Sequence, residues 1–178
     1  YRQDEWPLVV MCPASLKKMW KNDLMEWLFL NDHEIFMAVK QEHLYKGMPD
    51  LPRRTQALVV GYDQLAKARS DGKDFFQHST WRPQVIICDE CHTLKNWQTQ
   101  TTQACVPVVR NAKRRILLSA TAAPNRPIEL QPQLNAINPT FFPARHKEFD
   151  RRYCDGKEIY QAGNRVWEAT GATNEKEL

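Results

Sequence analysis

One short segment constrains this chain more than any other: residues 85–92, which read Val-Ile-Ile-Cys-Asp-Glu-Cys-His. Consecutive apolar residues are typical of a strand that is buried on both faces inside a parallel sheet. The run stops at two adjacent carboxylates, Asp89 and Glu90, and His92 follows. Because α/β folds bind ligands at the carboxyl ends of their strands, the segment predicts a functional site. The alternative interpretation is a strand that merely ends in a polar turn.

Several other apolar runs alternate with segments of helical periodicity. We predict strands at residues 8–12, 35–39, 57–60, 84–88 and 115–119, and helices at 15–30, after Tyr62, and at 98–112, 127–137 and 145–154. Strands that alternate with helices predict an α/β fold, with a parallel sheet covered by helices on both faces. Residues 41–54 and 70–82 are expected to be loops, and residues 155–178 to lie against the domain as an appendage.

Some local features give sharper expectations. Ser15 is placed to cap the first helix, and Trp20 and Trp27 fall on that helix's apolar face, which favours core packing over base stacking. Pro107 conflicts with a helix interior and predicts a kink or break. The basic run at residues 113–115 is interpreted as a surface patch.

Composition excludes some classes of protein. The 178 residues are enough for one domain, and the net charge of +4 permits nucleic-acid binding without requiring it. The five cysteines lack the spacing of a disulfide framework, which favours a reducing, intracellular environment. No signal peptide or membrane-spanning segment is visible. Cys88 and Cys91 have zinc-ligand spacing but no second ligand pair, so small residues at a strand end are the favoured interpretation.

The order and spacing of four segments carry a family resemblance. Residues 8–20, 57–65, 85–92 and 115–121 match motifs Ia, Ib, II and III of the Swi/Snf family of DNA translocases, in helicase superfamily two. Residues 125–130, 149–154 and 167–178 resemble its annealing-helicase branch. The resemblance implies a RecA-like lobe with a parallel sheet flanked by helices. We expect residues 1–140 to form part of an N-terminal ATPase lobe and residues 141–178 a C-terminal extension of it.

The resemblance also implies parts that this sequence does not show. The Walker A pattern G-x-x-x-x-G-K-[ST], which cradles nucleotide phosphates, does not occur in it. The second motor lobe is also not found. We therefore expect a fragment of the first lobe, lacking the Walker A strand and loop, that is inactive alone and uses ATP and Mg²⁺ in the intact protein.

The matched motifs imply chemical roles for named residues. Asp89 is expected to bind the nucleotide's Mg²⁺, and Glu90 to orient and deprotonate the attacking water. His92 is expected to couple the nucleotide site to motif III through Ser119 or Thr121.

Two departures from the family are present. Cys91 replaces the usual alanine and should be tolerated as a small apolar residue. Residues 119–122 read Ser-Ala-Thr-Ala where Thr-Gly-Thr-Pro is common, which could alter loop stiffness.

The resemblance further implies sequence-independent contacts with the DNA backbone. The candidate DNA-binding residues follow the predicted strands: Ser15, Lys17, Lys18, Tyr62, Lys95 and Asn96. For the paired lysines the alternative is an ordinary solvated helix face.

The leading functional hypothesis is an ATP-dependent translocase on double-stranded DNA, of the annealing-helicase or fork-remodelling type. Two alternatives stay open: a non-catalytic nucleic-acid-binding or regulatory remnant of a helicase lobe, and a chromatin remodeller. The expected location is intracellular: the cytoplasm for a bacterial or viral protein, the nucleus for a eukaryotic one.

Overall fold

The computed structural model describes residues 5–39, 51–52, 54–72, 76, 81–140, 146–174 and 176–177. Five parallel strands form a sheet in the order β2-β3-β1-β4-β5, and helices lie on both of its faces. The α/β prediction is confirmed. Among the described residues, no helix is long and apolar enough to cross a membrane.

The strands and helices alternate along the chain. The strands of the sheet are β1 Leu8–Cys12, β2 Ile35–Met37, β3 Ala57–Gly61, β4 Val85–Asp89 and β5 Arg114–Leu118. The helices are α1 Lys17–Leu28, α2 Tyr62–Ser70, α3 Gln100–Arg110, α4 Gln131–Ile137 and α5 His146–Tyr153. A hairpin of β6 Lys157–Gln161 and β7 Asn164–Glu168 follows. Each strand predicted for the sheet is present, within two residues of its expected ends.

The core has two halves, one on each side of the sheet. Alternate residues of β1 divide between them: Val9 and Met11 belong to the cluster under α2 and α3, and Val10 and Cys12 to the cluster under α1. Strands β1 and β3 are buried along their whole length because each has a neighbour on both sides and is covered on both faces. The continuous apolar runs in the sequence have this cause.

Strand β5 is an edge of the sheet, and its outward side chains are partly uncovered. Ile116 and Leu118 are 43% and 41% exposed, and they pair in register with Ile87 and Asp89 of β4. The α1 side of the sheet therefore has apolar surface beside the end of β4 that the described residues do not cover.

The C-terminal part packs on a short 3-10 turn, Pro127–Leu130, through Phe149, Tyr153 and Cys154. The hairpin is fixed to α5 by Trp167, whose indole N–H donates to Asp150 Oδ2 at 2.8 Å. After the hairpin the chain returns to α5, where the backbone N–H of Thr173 donates to the Tyr153 carbonyl. The described residues of the appendage expected at residues 155–178 thus lie against α5, and the boundary at residue 140 stays a prediction.

Several local predictions are wrong. Ser15 does not cap α1: it lies in the 3-10 turn Ala14–Leu16, and Leu16 occupies the cap position with no side-chain hydrogen bond. Trp27 is 71% exposed and is not a core residue. Helix α3 runs through Pro107 without the predicted break, because both of its flanking valines are buried and their packing outweighs one lost backbone bond. The predicted kink stays a prediction. The predicted loops at residues 41–54 and 70–82 lie largely outside the described residues.

Candidate nucleotide and DNA site

The predicted site residues gather at the end of the sheet where the parallel strands finish. Strands β1, β3 and β4 are adjacent and parallel, so the segments after Cys12, Gly61 and Asp89 leave the sheet on the same side. Motifs Ia, Ib and II therefore lie together at this end of the sheet. Residues 119–122 follow β5, which pairs with β4 on the other side.

Asp89 ends β4 with each carboxylate oxygen in a hydrogen bond. The indole N–H of Trp20 donates to Oδ2 at 2.7 Å, and the backbone N–H of Glu90 donates to Oδ1 at 3.0 Å. The carbonyl oxygen of Asp89 accepts the Tyr62 hydroxyl at 2.8 Å. A carboxylate has about four lone-pair positions, so Asp89 keeps capacity for a hard cation or its water ligands.

Glu90 occupies an uncommon backbone conformation. Its φ of 51° and ψ of 49° lie in the left-handed region, which costs a non-glycine residue roughly 1–2 kcal/mol. The turn separates the two acids: Asp89 stays at the end of the strand, while the Glu90 side chain is 38% exposed. The Glu90 carboxylate is therefore accessible to solvent.

His92 lies between Glu90 and Ser119. Its Nδ1 is 3.2 Å from Glu90 Oε2 and 3.1 Å from Ser119 Oγ. A protonated Nδ1 donates to either oxygen, whereas an unprotonated Nδ1 accepts the Ser119 hydroxyl. The predicted contact of His92 with motif III is present, and Ser119 makes it.

Thr121 takes a different place. Its side chain is exposed, and its backbone N–H donates to Ser119 Oγ at 3.3 Å. Ser119 Oγ is thus shared between His92 and the backbone of its own loop. The catalytic role predicted for Thr121 is not tested by this geometry.

The two lysines of α1 differ in their surroundings. Lys17 Nζ donates to the Ala38 carbonyl at 2.7 Å and to Gln64 Oε1 at 3.0 Å, while Lys18 is exposed. Gln64 Oε1 also accepts the backbone N–H of Gly61 at 3.1 Å. Lys17 therefore connects the turns of motifs Ia and Ib, whereas Lys18 and the exposed Ser15 face solvent.

Tyr62 is not available to DNA, so this prediction is wrong for its side chain. It is 3% exposed, and its hydroxyl is used by the Asp89 carbonyl. Burial raises the pKa of the phenol above its ordinary range, which keeps it a neutral donor. Tyr62 instead supports the end of β4 from the motif Ib turn.

Lys95 and Asn96 lie in the turn before α3. Lys95 Nζ is 3.8 Å from Glu129 Oε1, and Asn96 Oδ1 accepts the backbone N–H of Gln98 at 2.9 Å. The Lys95 side chain is 39% exposed and Asn96 is exposed, so both remain reachable from solvent. Their predicted DNA contacts stay predictions.

Glu129 is a buried acid close to this turn. Asn125 donates to it twice, from the backbone at 3.2 Å and from the side chain at 3.1 Å. Burial acts to raise the pKa of Glu129, but the Asn125 bonds and the charges of Lys95 and Arg126 prevail and hold this pKa below its ordinary value.

The cysteines of the zinc-like spacing have separate partners. Cys88 Sγ is 3.9 Å from Met11 Sδ, and the Cys91 thiol donates to Gln133 Oε1 at 3.1 Å. Burial raises the pKa of Cys88 to about 12 and that of Cys91 to about 11, so both thiols keep their protons near neutral pH. Within the described ranges, no group of three or more His, Cys, Asp or Glu side chains could hold a metal.

The residues that support the site carry little signal in the sequence. Trp20 had been placed in the core, yet its indole N–H reaches Asp89. Gln64 lies in the motif Ib segment but carries no predicted role, and Gln133 belongs to no motif considered above. An indole with a polar edge on an otherwise apolar helix face was the only available signal, since indole N–H groups find partners when buried.

Comparisons with known proteins agree on one family. A family model described as the SNF2-related domain matches residues 1–168. The chain is 34% identical over its whole length to a Xenopus tropicalis protein named SWI/SNF-related matrix-associated actin-dependent regulator of chromatin subfamily A-like protein 1. It is 29% identical, also over its whole length, to human DNA annealing helicase and endonuclease ZRANB3.

A solved structure shows the same fold. The Sulfolobus solfataricus SWI2/SNF2 ATPase core, determined in complex with double-stranded DNA, matches 85% of this chain with a TM-score of 0.64 and 21% identity. The chain covers 29% of that structure, 17% of the Xenopus protein and 16% of the human one. It therefore spans only a small part of the relatives that it matches.

Proposed function

Because the chain belongs to the SNF2-related domain family, we propose that it is part of an ATP-dependent translocase on double-stranded DNA. We further propose that the intact protein acts as an annealing helicase or fork remodeller. The observation that supports this most directly is the chain of contacts at the carboxyl ends of the strands. It runs from Asp89 through Glu90 and His92 to Ser119.

The donor set at the end of β4 suits Mg²⁺ and ATP. Asp89 offers hard carboxylate oxygens and is the residue that would hold the ion, which neutralises charge on the nucleotide phosphates when bound. The bonds from Trp20 and Glu90 N–H fix the orientation of this carboxylate in advance. Such preorganisation is how phosphoryl-transfer sites work, since their catalysis rests on positioning and electrostatics.

Glu90 is the residue proposed to act on the attacking water. Its side chain is 38% exposed, and His92 Nδ1 lies 3.2 Å from its Oε2. A hydrogen bond from His92 would orient this carboxylate as it accepts a proton from water. The same imidazole nitrogen lies within hydrogen-bond distance of Ser119 Oγ, so a change in its contact with Glu90 alters its contact with Ser119.

The uncovered apolar side of β4 and β5 fits a phosphate-binding segment. Ile116 and Leu118 are partly exposed next to Asp89, at the edge strand of the sheet. We propose that a strand, Walker A loop and helix of the same protein pack here and bring a lysine and backbone amides to the nucleotide. The second motor lobe would complete the site.

DNA is proposed to lie over the turns after β1 and β4. Lys18, Ser15, Lys95 and Asn96 are exposed or half-exposed there, and none is in an apolar cluster. Contacts from such residues to phosphates fit binding without base readout. All five cysteines are buried and none is in a disulfide, which suits the reducing compartments where DNA is found: the nucleus in a eukaryote, or the cytoplasm for a bacterial or viral protein.

ATP turnover by the intact protein tests the proposal. We expect hydrolysis that double-stranded DNA stimulates, and displacement of a triplex strand that requires ATP. Glu90→Gln should abolish turnover while nucleotide binding persists, because the substitution is nearly isosteric and removes only the basic carboxylate. Glu26→Gln, at an exposed position of α1, is the matched control and should leave turnover unchanged. DNA binding without hydrolysis would favour a non-catalytic remnant, and stimulation by nucleosomes beyond that by naked DNA a chromatin remodeller.

A further inference from the structure

A buried glutamine connects the segment after the two acids to the segment after β5. Gln133 of α4 is 3% exposed, and its side-chain amide makes three hydrogen bonds. Its Oε1 accepts the Cys91 thiol at 3.1 Å. Its Nε2 donates to the carbonyl oxygens of Ala122 at 2.6 Å and Glu129 at 2.8 Å.

The chemistry of the three partners fixes the orientation of this amide. Two carbonyl oxygens can only accept, so they require the NH₂ group, and the remaining oxygen then faces a donor. Cys91 supplies that donor, because its buried thiol lies 3.1 Å from Gln133 Oε1. A thiol is a weak donor, but it satisfies an acceptor that would otherwise be buried without one.

The position of these bonds matters more than their number. His92 contacts Ser119, the first of residues 119–122, and the Cys91–Gln133 pair contacts Ala122, the last of them. Cys91 and His92 are neighbours in sequence. Two adjacent residues after the acid pair therefore hold the two ends of one four-residue segment.

We propose that Cys91 and Gln133 form a second link between the acid pair and residues 119–122, parallel to the His92–Ser119 link. Gln133 is in this view a positioning residue for coupling, not a catalytic one. The role in coupling rests on the proposed motor function, but the link itself does not. The link has a physical use here: residues 119–122 contain no proline to fix a backbone dihedral angle, so hydrogen bonds such as these hold the conformation of the segment.

The cysteine is central to this proposal. An alanine at position 91 would leave Gln133 Oε1 without the thiol donor in a buried site, whereas a serine would keep a donor. From sequence alone, Cys91 is expected to be a tolerated apolar substitute. The structure gives it a specific hydrogen-bonding role instead.

Hydrogen exchange in the intact protein tests the link. We expect Cys91→Ala and Gln133→Met to speed exchange of the backbone amides at residues 120–123 by about fivefold, the effect of losing one ordinary hydrogen bond. Cys91→Ser should return exchange to the wild-type rate. The matched controls are Cys105→Ala, a buried thiol of α3, and Gln131→Met, a buried glutamine of α4 that contacts Trp97 and Asp150.

Coupling is measured on the same variants as ATP hydrolysed per triplex strand displaced. Cys91→Ala and Gln133→Met should raise this ratio above that of both controls, and Cys91→Ser should return it to the wild-type value. Exchange that rises no more than in the controls, or Cys91→Ser behaving like Cys91→Ala, would overturn the link. An unchanged ratio despite faster exchange would overturn the role in coupling. A wild type that never hydrolyses ATP would refute the motor function alone, because the exchange measurement still decides the link.

Discussion

The indole N–H of Trp20 donates to Asp89 Oδ2 at 2.7 Å, a bond between residues 69 positions apart in the chain. It joins the motif Ia helix to the end of the motif II strand. Together with the Glu90 N–H on Oδ1, it leaves the carboxylate with little freedom to rotate. The acid proposed to hold Mg²⁺ is thus oriented by a neighbouring helix as well as by its own strand.

Trp20→Phe should weaken the use of Mg²⁺ by the intact protein. Phenylalanine keeps most of the ring packing and removes only the N–H, so Asp89 loses one of the two bonds that orient it. Loss of a group that orients a metal ligand commonly costs about tenfold or more in metal affinity. We expect the half-saturating Mg²⁺ concentration for ATP turnover to rise by about that factor. Trp27→Phe, at the exposed end of the same helix, is the control; equal midpoints for the two variants would contradict the prediction.

Lys17 and Lys18 should respond differently to replacement by methionine, which keeps the aliphatic stem and removes the charge. Lys18→Met should weaken binding to unrelated DNA sequences alike and lower the salt slope by about one, as expected for one phosphate contact. Lys17→Met should chiefly lower stability, because its ammonium is used by Ala38 and Gln64. Affinity titrations at several salt concentrations, with urea denaturation of both variants, distinguish the two roles. A larger change in salt slope for Lys17→Met would reverse this assignment.

The main features of the fold follow from sequence because they depend on local patterns. The continuous apolar runs of β1 and β3 indicate buried parallel strands. The change to polar residues after Cys88 indicates the end of the sheet at which the candidate site lies. Interactions between distant residues leave no such pattern. Nothing near Gln133 in sequence indicates that it meets Cys91, 42 positions away.

The errors have the same origin. Trp27 and Trp20 share one face of α1 by periodicity, but only the latter lies over the sheet; the former is near the end of the helix and reaches solvent. The position of Tyr62 after β3 predicts a DNA contact, but its side chain is buried against the end of β4. The hairpin did carry a signal that was missed: Ala162 and Gly163 form a two-residue turn with φ of 50° and 82°. Such turns favour glycine and asparagine between alternating strands.

Ser119→Ala and Thr121→Ala should have unequal effects on coupling. Ser119 Oγ contacts His92, while the Thr121 side chain is exposed. We expect Ser119→Ala to lower triplex displacement more than ATP turnover, and Thr121→Ala to change the ratio of the two rates less than twofold, in the range of surface substitutions. Both rates are measured on the same preparations. Equal uncoupling by the two variants would show that Thr121 acts directly in the intact protein.

The buried carboxylate of Glu129 should make stability depend on pH in one direction. Its folded-state pKa lies below the ordinary value of 4.5, so its contribution is present above that pH and is lost as the pH falls through the folded pKa. Glu129→Gln removes the titrating group but keeps the shape. We expect the variant to be less stable at pH 7 by about 1 kcal/mol, because Asn125 loses charge-assisted bonds. The difference should shrink below pH 4.5 as the wild-type carboxylate takes up a proton.

Urea denaturation from pH 7 to about pH 3.5 measures this difference in the free energy of unfolding. Glu148→Gln, at an exposed position of α5, is the control, with an effect below about 0.5 kcal/mol. A difference between wild type and Glu129→Gln that grows as the pH falls would mean that burial, and not the bonds from Asn125, dominates this acid.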